Sequence, residues 1–132
     1  MSILGRKISG KVVAAVALAM IVAALLPVMT QSRVDREVSL VVRDMTFYVA
    51  GDLDRPNPVL TLRRGERVRI VLKNDERGMT HDFAVPAFGA ATSLVSWNEQ
   101  DDVVITAPDQ PGTYEYVCNP HRLMMKGTLT VY

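Results

Sequence analysis

From Glu37 to the end of the chain no stretch sustains a helical period; short runs of β-branched and aromatic residues alternate instead with residues suited to turns. The candidate strands are residues 38–42, 46–50, 59–62, 68–73, 81–85, 103–106, 113–118 and 128–132. Between them stand Gly51-Asp52, Pro56-Asn57-Pro58, Arg64-Gly65, Asn74-Asp75 and Pro108-Asp109-Gln110-Pro111-Gly112, which turn the chain through a positive φ, a fixed φ or an Asx turn. The pattern predicts an all-β domain, a Greek-key sandwich of two sheets. Residues 86–100 resist assignment and have room for a short helix or a flap.

Alternation assigns faces, because side chains two apart in a strand point the same way. Tyr114, Tyr116 and Cys118 share one face, and Thr113, Glu115 and Val117 the other. With Glu115 in solvent, the Cys118 sulfur points into the sandwich. In the last strand Leu129 and Val131 point inward, while Thr128 and Thr130 look outward. The loop 119–126 therefore lies at one end of the sandwich, and the start of the 81–85 strand must lie at that same end if the two are to meet.

The N-terminus is of another kind. Arg6, Lys7 and Lys11 precede residues 12–29, 18 residues without a charge. An apolar helix is expected here, as a secretory signal peptide or as a membrane anchor: signals usually carry roughly 7–15 apolar residues and spans roughly 17–25. Length favours the anchor, and no clean small-x-small cleavage site follows. Basic residues ahead of the segment put the N-terminus in the cytoplasm and the rest outside it, periplasmic or otherwise extracytoplasmic, anchored or secreted. The expected division is 1–33 for the signal or anchor and 34–132 for the folded domain.

Of 15 basic residues, four lie within 1–33, so residues 34–132 hold 11 against 14 acids. A mildly acidic domain gives no reason to expect nucleic acid, and the run Arg63, Arg64, Arg67, Arg69, Lys73 reads as the solvated face of a hairpin.

Chemistry is concentrated in Tyr116-Val117-Cys118-Asn119-Pro120-His121-Arg122-Leu123-Met124-Met125, where thiolate, imidazole and thioether fall within eight residues. A lone cysteine is commonly a small buried hydrophobe, but Cys-x-x-His with methionine just beyond is a set for a soft or borderline metal. A His₂Cys site with a weak axial Met describes mononuclear blue copper. The second imidazole must be His81, since the chain has two histidines in all. Zinc seldom takes a thioether, which disfavours a structural zinc site. Met45 and Met79 read as filler or loop residues, and Trp97 as a packing anchor.

These motifs resemble the cupredoxins, small blue-copper proteins that include plastocyanin, amicyanin, pseudoazurin and azurin, over about residues 37–132. Cys118-Asn119-Pro120-His121 is similar to the plastocyanin and amicyanin Cys-(Ser/Thr)-Pro-His loop. Met125-Lys126-Gly127-Thr128-Leu129-Thr130 resembles the run that begins with azurin's axial methionine, and Met79-Thr80-His81-Asp82-Phe83 resembles azurin's Met-Gly-His-Asn-Trp. Pro111-Gly112-Thr113-Tyr114-Glu115-Tyr116 is similar to the strand leading to the copper cysteine. The resemblance implies one copper ion per chain, held by His81, Cys118, His121 and Met125. Met124 is the alternative axial ligand: a Cys-x2-His-x2-Met count selects it, whereas counting back from the inward Leu129 selects Met125. Where the family commonly has Asn after the first histidine this chain has Asp82, which when ionised only accepts hydrogen bonds and can pair with the backbone NH or side chain of Asn119.

The resemblance further implies a monomeric electron carrier, not an enzyme, whose redox partner docks near His121 over Pro86, Ala87, Phe88, Pro120, Leu123 and Met124, with Arg122 beside them. The alternative is a copper-binding module for storage, delivery or sensing. Multicopper enzymes need further histidines, and none remain.

Overall fold

In the computed structural model, residues 10–11, 13–16 and 33–132 are described. Residues 34–132 form a unit of their own. The apolar segment 12–29 lies outside the described residues apart from 13–16, which are helical. Among the described residues no helix is long and apolar enough to cross a membrane.

Nine strands build the domain: β1 (Arg36–Arg43), β2 (Thr46–Val49), β3 (Leu60–Leu62), β4 (Arg67–Asn74), β5 (Ala84–Val85), β6 (Ala90–Ala91), β7 (Gln100–Thr106), β8 (Gly112–Val117) and β9 (Lys126–Val131). They form a four-stranded sheet in the order β2-β1-β4-β7 and a five-stranded sheet in the order β3-β9-β8-β5-β6. β1 runs parallel to β4, and β3 parallel to β9; the other ladders are antiparallel. The chain thus repeatedly crosses between sheets, as the expected two-sheet sandwich requires.

The alternation of β4 shows how sequence sets the core. Val68, Ile70 and Leu72 are buried while Arg69 and Lys73 face water. The inward row ends on Asn74, a fully buried amide. Between the sheets, Phe47 of β2 meets Phe83 edge-on at 6.0 Å and Tyr116 of β8 at 5.5 Å, and Phe83 stacks on Tyr116 at 5.3 Å. Such pairs add about 0.5–1.5 kcal/mol each beyond their burial. The Tyr116 hydroxyl donates to Pro58 O at 2.6 Å, and burial pushes its pKa up.

Several expectations are corrected. The basic run is not a hairpin, because β3 and β4 belong to different sheets. The turn between them is held by Glu66, whose carboxylate accepts from Arg63 N–H at 2.8 Å and Arg36 Nε at 3.0 Å. Arg69 and Lys73 face Asp102 and Asp75 at 3.2 and 3.0 Å. The 81–85 strand shrinks to Ala84–Val85, since Phe83 N–H turns to Thr92 Oγ1 at 3.0 Å and His81 makes only an isolated bridge to Val95. The unassigned stretch contains one 3₁₀ turn (Pro86–Phe88) and β6, and β7 starts at its end. Trp97 is no packing anchor: it is 46% exposed, with the Arg77 guanidinium 3.9 Å above its ring. Val117 is buried although it shares a side of the strand with exposed Glu115.

Gly127 sits opposite Tyr116 in the β8–β9 ladder, and a Cβ there would lie 2.2 Å from the buried tyrosine's ring. Gly127→Ala is therefore expected to destabilise the domain by about 1–3 kcal/mol, read by denaturant unfolding. Burial raises the Glu66 carboxyl pKa, but the Arg36 hydrogen bond and the Arg63 amide outweigh it, so the net shift is downward from 4.5. The stability this group contributes is fully present above pH 4.5 and lost as pH falls through the lowered value. The melting-temperature gap between wild type and Glu66→Gln should therefore narrow below that pH.

Candidate metal centre

His81 is positioned by the end of β4. Asn74 Nδ2 donates to Met79 O at 2.8 Å and Val95 O at 3.0 Å, and its Oδ1 accepts from Glu76 N–H at 2.8 Å. One buried side chain thus closes the loop between β4 and His81. The backbone of His81 is then paired with Val95 in both directions, at 3.1 and 2.8 Å. Its ring is fully buried.

Cys118 and Met125 are positioned by the β8–β9 register. Tyr116 faces Gly127 and Val117 faces Lys126, so the next pair is Cys118 with Met125, whose carbonyl accepts from Cys118 N–H at 3.0 Å. Directly opposed residues project to the same face, and both side chains are fully buried in the core cluster. The loop between them tightens through a 3₁₀ turn, Asn119–His121. His121 N–H donates to Cys118 O, and Met124 and Met125 N–H both donate to His121 O. Met124 is 64% exposed and Leu123 93%.

The two loops are joined by Asp82. Its Oδ1 accepts from Asn119 N–H at 2.6 Å and its Oδ2 from Asn119 Nδ2 at 2.7 Å. Both partners named from sequence are engaged at once.

The donor atoms converge. Nδ1 of His81 lies 3.6 Å from Cys118 Sγ, and Nδ1 of His121 lies 3.5 Å from the same sulfur. The three donor residues come within 4.8 Å of one another, and the imidazole centroids are 4.8 Å apart. Metal–nitrogen and metal–sulfur bonds of about 2.0–2.3 Å, at angles of about 110–120°, would separate nitrogen from sulfur by about 3.5–3.8 Å. The residues therefore fit a single ion, and thiolate with two imidazoles and a nearby thioether is a donor set for copper. Burial holds the His81 pKa down, partly opposed by the Glu76 charge, while the His121 charge adds to the lowering. Burial also pushes the Cys118 thiol up, against the backbone amides of Asp82 and His121. A bound metal favours the thiolate that burial opposes.

All four residues singled out from sequence thus lie at one end of the sandwich. Sequence reasoning missed Asn74 and Glu76. Asn74 sits in a pair, Asn74-Asp75, read only as a turn, and Glu76 follows it; the inward period of β4, which makes position 74 a buried amide, was the available signal for the first. Glu76 Oε2 lies 3.2 Å from His81 Nε2 but out of hydrogen-bond alignment, so among the described residues that buried nitrogen has no hydrogen bond. Pro120, His121, Arg122, Leu123 and Met124, with Asn119, line an open depression of about 370 Å³.

Comparison with known proteins agrees with this geometry. The family described as Cupredoxin-like domain matches residues 14–131. Auracyanin A, a "blue" copper protein from the green thermophilic photosynthetic bacterium Chloroflexus aurantiacus, shares 22% identity at a TM-score of 0.58, over 73% of this chain and 98% of its own. Auracyanin B shares 22% identity at a TM-score of 0.63, over 78% and 93%. McoA, a multicopper oxidase from the hyperthermophile Aquifex aeolicus, shares 16% at 0.59, over 76% of this chain but 27% of its own. No curated protein matches the sequence. At these identities the solved structures speak for the fold.

Asp82→Ala would leave two Asn119 donors without their acceptor and is expected to lower stability by about 2 kcal/mol or more. Asp82→Asn should cost less, because the Asn119 side-chain amide can turn to keep two bonds. Chemical denaturation of the metal-free protein checks the order.

Proposed function

The chain belongs to the cupredoxin-like domain family, and from that premise we propose that it carries single electrons through one copper ion held by His81, Cys118, His121 and Met125. The observation that carries this reading is that the Nδ1 atoms of both histidines face one buried sulfur. Copper supplies a one-electron couple when bound. The protein supplies what such a couple needs: His81, Cys118 and Met125 are wholly buried, so water is kept from three of the four donors. Strand register and the Asp82 clamp hold these donors in place, which keeps structural change between oxidation states small.

Met125 is the axial ligand in this reading, because it is buried opposite Cys118 while Met124 is mostly exposed. His121 is the only half-exposed donor. Its ring offers the short path to a partner seated on Pro120, Leu123, Met124, Pro86 and Ala87, all exposed, with Arg122 adding a positive charge. A carrier rather than an enzyme is supported by the donor inventory: among the described residues His81, Cys118 and His121 are the one cluster able to hold a metal. The working unit is taken as a monomer, with residues 34–132 as the copper domain outside the cytoplasm and 1–33 as signal or anchor.

Copper-loaded protein is expected to show an intense visible thiolate-to-copper band, abolished in Cys118→Ser. Met125→Leu should raise the reduction potential, since a weak donor to the oxidised ion is replaced by hydrocarbon, and Met124→Leu should leave spectrum and potential near wild type. Absorption, paramagnetic resonance and voltammetry read these outcomes. A colourless copper complex, or one that cannot be cycled reversibly, would favour copper storage, delivery or sensing instead.

A further inference from the structure

We infer that Glu76 is a positioning residue for the copper centre, its carboxylate fixing which nitrogen of His81 carries the proton and weighting the centre toward its oxidised state. This rests on the copper reading above.

The His81 ring is buried, and its Nδ1 faces the Cys118 sulfur. A ring that binds metal through Nδ1 must carry its proton on Nε2. That N–H then points away from the metal into the protein, where among the described residues no group hydrogen-bonds it. A buried donor left without an acceptor loses the hydrogen bonds that water would give it. The Glu76 carboxylate is the acceptor at hand, with Oε2 at 3.2 Å and its side chain only 19% exposed. A small rotation of either group aligns the bond. A carboxylate on the outer nitrogen of a metal-binding histidine sets its tautomer and raises its basicity as a ligand.

Glu76 is itself held in place. Its Oε2 accepts from the Met45 N–H at 3.0 Å, and its own N–H donates to Asn74 Oδ1 at 2.8 Å. Met45 lies in the β1–β2 turn at φ +56, unusual for a side chain of this kind. Asn74, which fixes the loop around His81, therefore also fixes the carboxylate. The arrangement is one-sided: among the described residues no carboxylate lies within ion-pair distance of His121. A negative charge beside one ligand ring favours the more positive oxidation state of the metal.

The test uses the full chain loaded with copper. Glu76→Gln keeps the size and an oxygen for the Met45 amide but removes the charge. Its Cu(II) affinity is expected to fall about tenfold relative to Cu(I), a rise of about 59 mV for a one-electron couple. Asp75→Asn is the control, because Asp75 pairs with Arg43 and Lys73 and not with His81. It should move the potential by only a small fraction of that amount. In the metal-free protein, nitrogen NMR of the imidazoles should show His81 as the Nε2–H tautomer, and a mixed population in Glu76→Gln. If Glu76→Gln does not fold, Glu76→Asp, which keeps the charge one methylene further away, should give a smaller upward shift and a partial loss of the tautomer. No shift, a shift matched by Asp75→Asn, or an unchanged tautomer overturns the role of Glu76 and leaves the copper reading intact. A wild type without the thiolate-to-copper band overturns that reading itself.

Discussion

One carboxylate joins the two halves of the metal centre. His81 and Cys118 belong to chain segments 37 residues apart, and Asp82 bridges them by taking both the backbone and the side-chain N–H of Asn119. The bridge continues the ladder beneath it. Ala84 pairs with Val117 in the β5–β8 ladder, and counting two residues outward along an antiparallel pair brings 82 opposite 119. Below it, Phe83 stacks on Tyr116 and both meet Phe47 from the other sheet. The apolar contact sets the approach of the segments and the charged one locks their ends, where water would otherwise compete. Besides this pair, the side-chain hydrogen-bond contact between the His81 segment and the Cys118 loop among the described residues is that of Cys118 Sγ with His81 Nδ1 at 3.6 Å.

The two imidazoles meet the same sulfur from unlike surroundings. His81 is enclosed, with a carboxylate behind it and an amide network around it. His121 stands at the rim of an open depression, with an exposed apolar loop beside it. In the proposed reading the enclosed ring sets the energy of the centre and the open one faces the partner.

Much of the strand register is legible in the sequence. Inward alternation from Leu129 brings Met125, not Met124, opposite Cys118, and the observed register does so. The all-β class followed from turn residues and short β-branched runs. The failures have physical causes. The 81–85 segment looked like a strand because Phe83-Ala84-Val85 are apolar, but the amides of His81 and Phe83 go to Val95 and Thr92. Trp97 looked like a core residue by type, yet its ring faces solvent under a guanidinium. The basic run has the spacing of a hairpin, and only the sheet order shows that its two arms lie in different sheets.

The sequence by itself determined the donor inventory, because a chain with one cysteine and two histidines permits one arrangement of thiolate and imidazoles. It also determined the inward face of β9, where Leu129 and Val131 are buried, but not that of β8 throughout, since Val117 is buried on the side of exposed Glu115. Tertiary structure alone decided that Glu76 stands behind His81, that Asn74 holds both, and that one histidine is enclosed while the other reaches the rim. Those relations join residues through loops with no period, and loop geometry is set by hydrogen bonds to distant partners rather than by any local pattern.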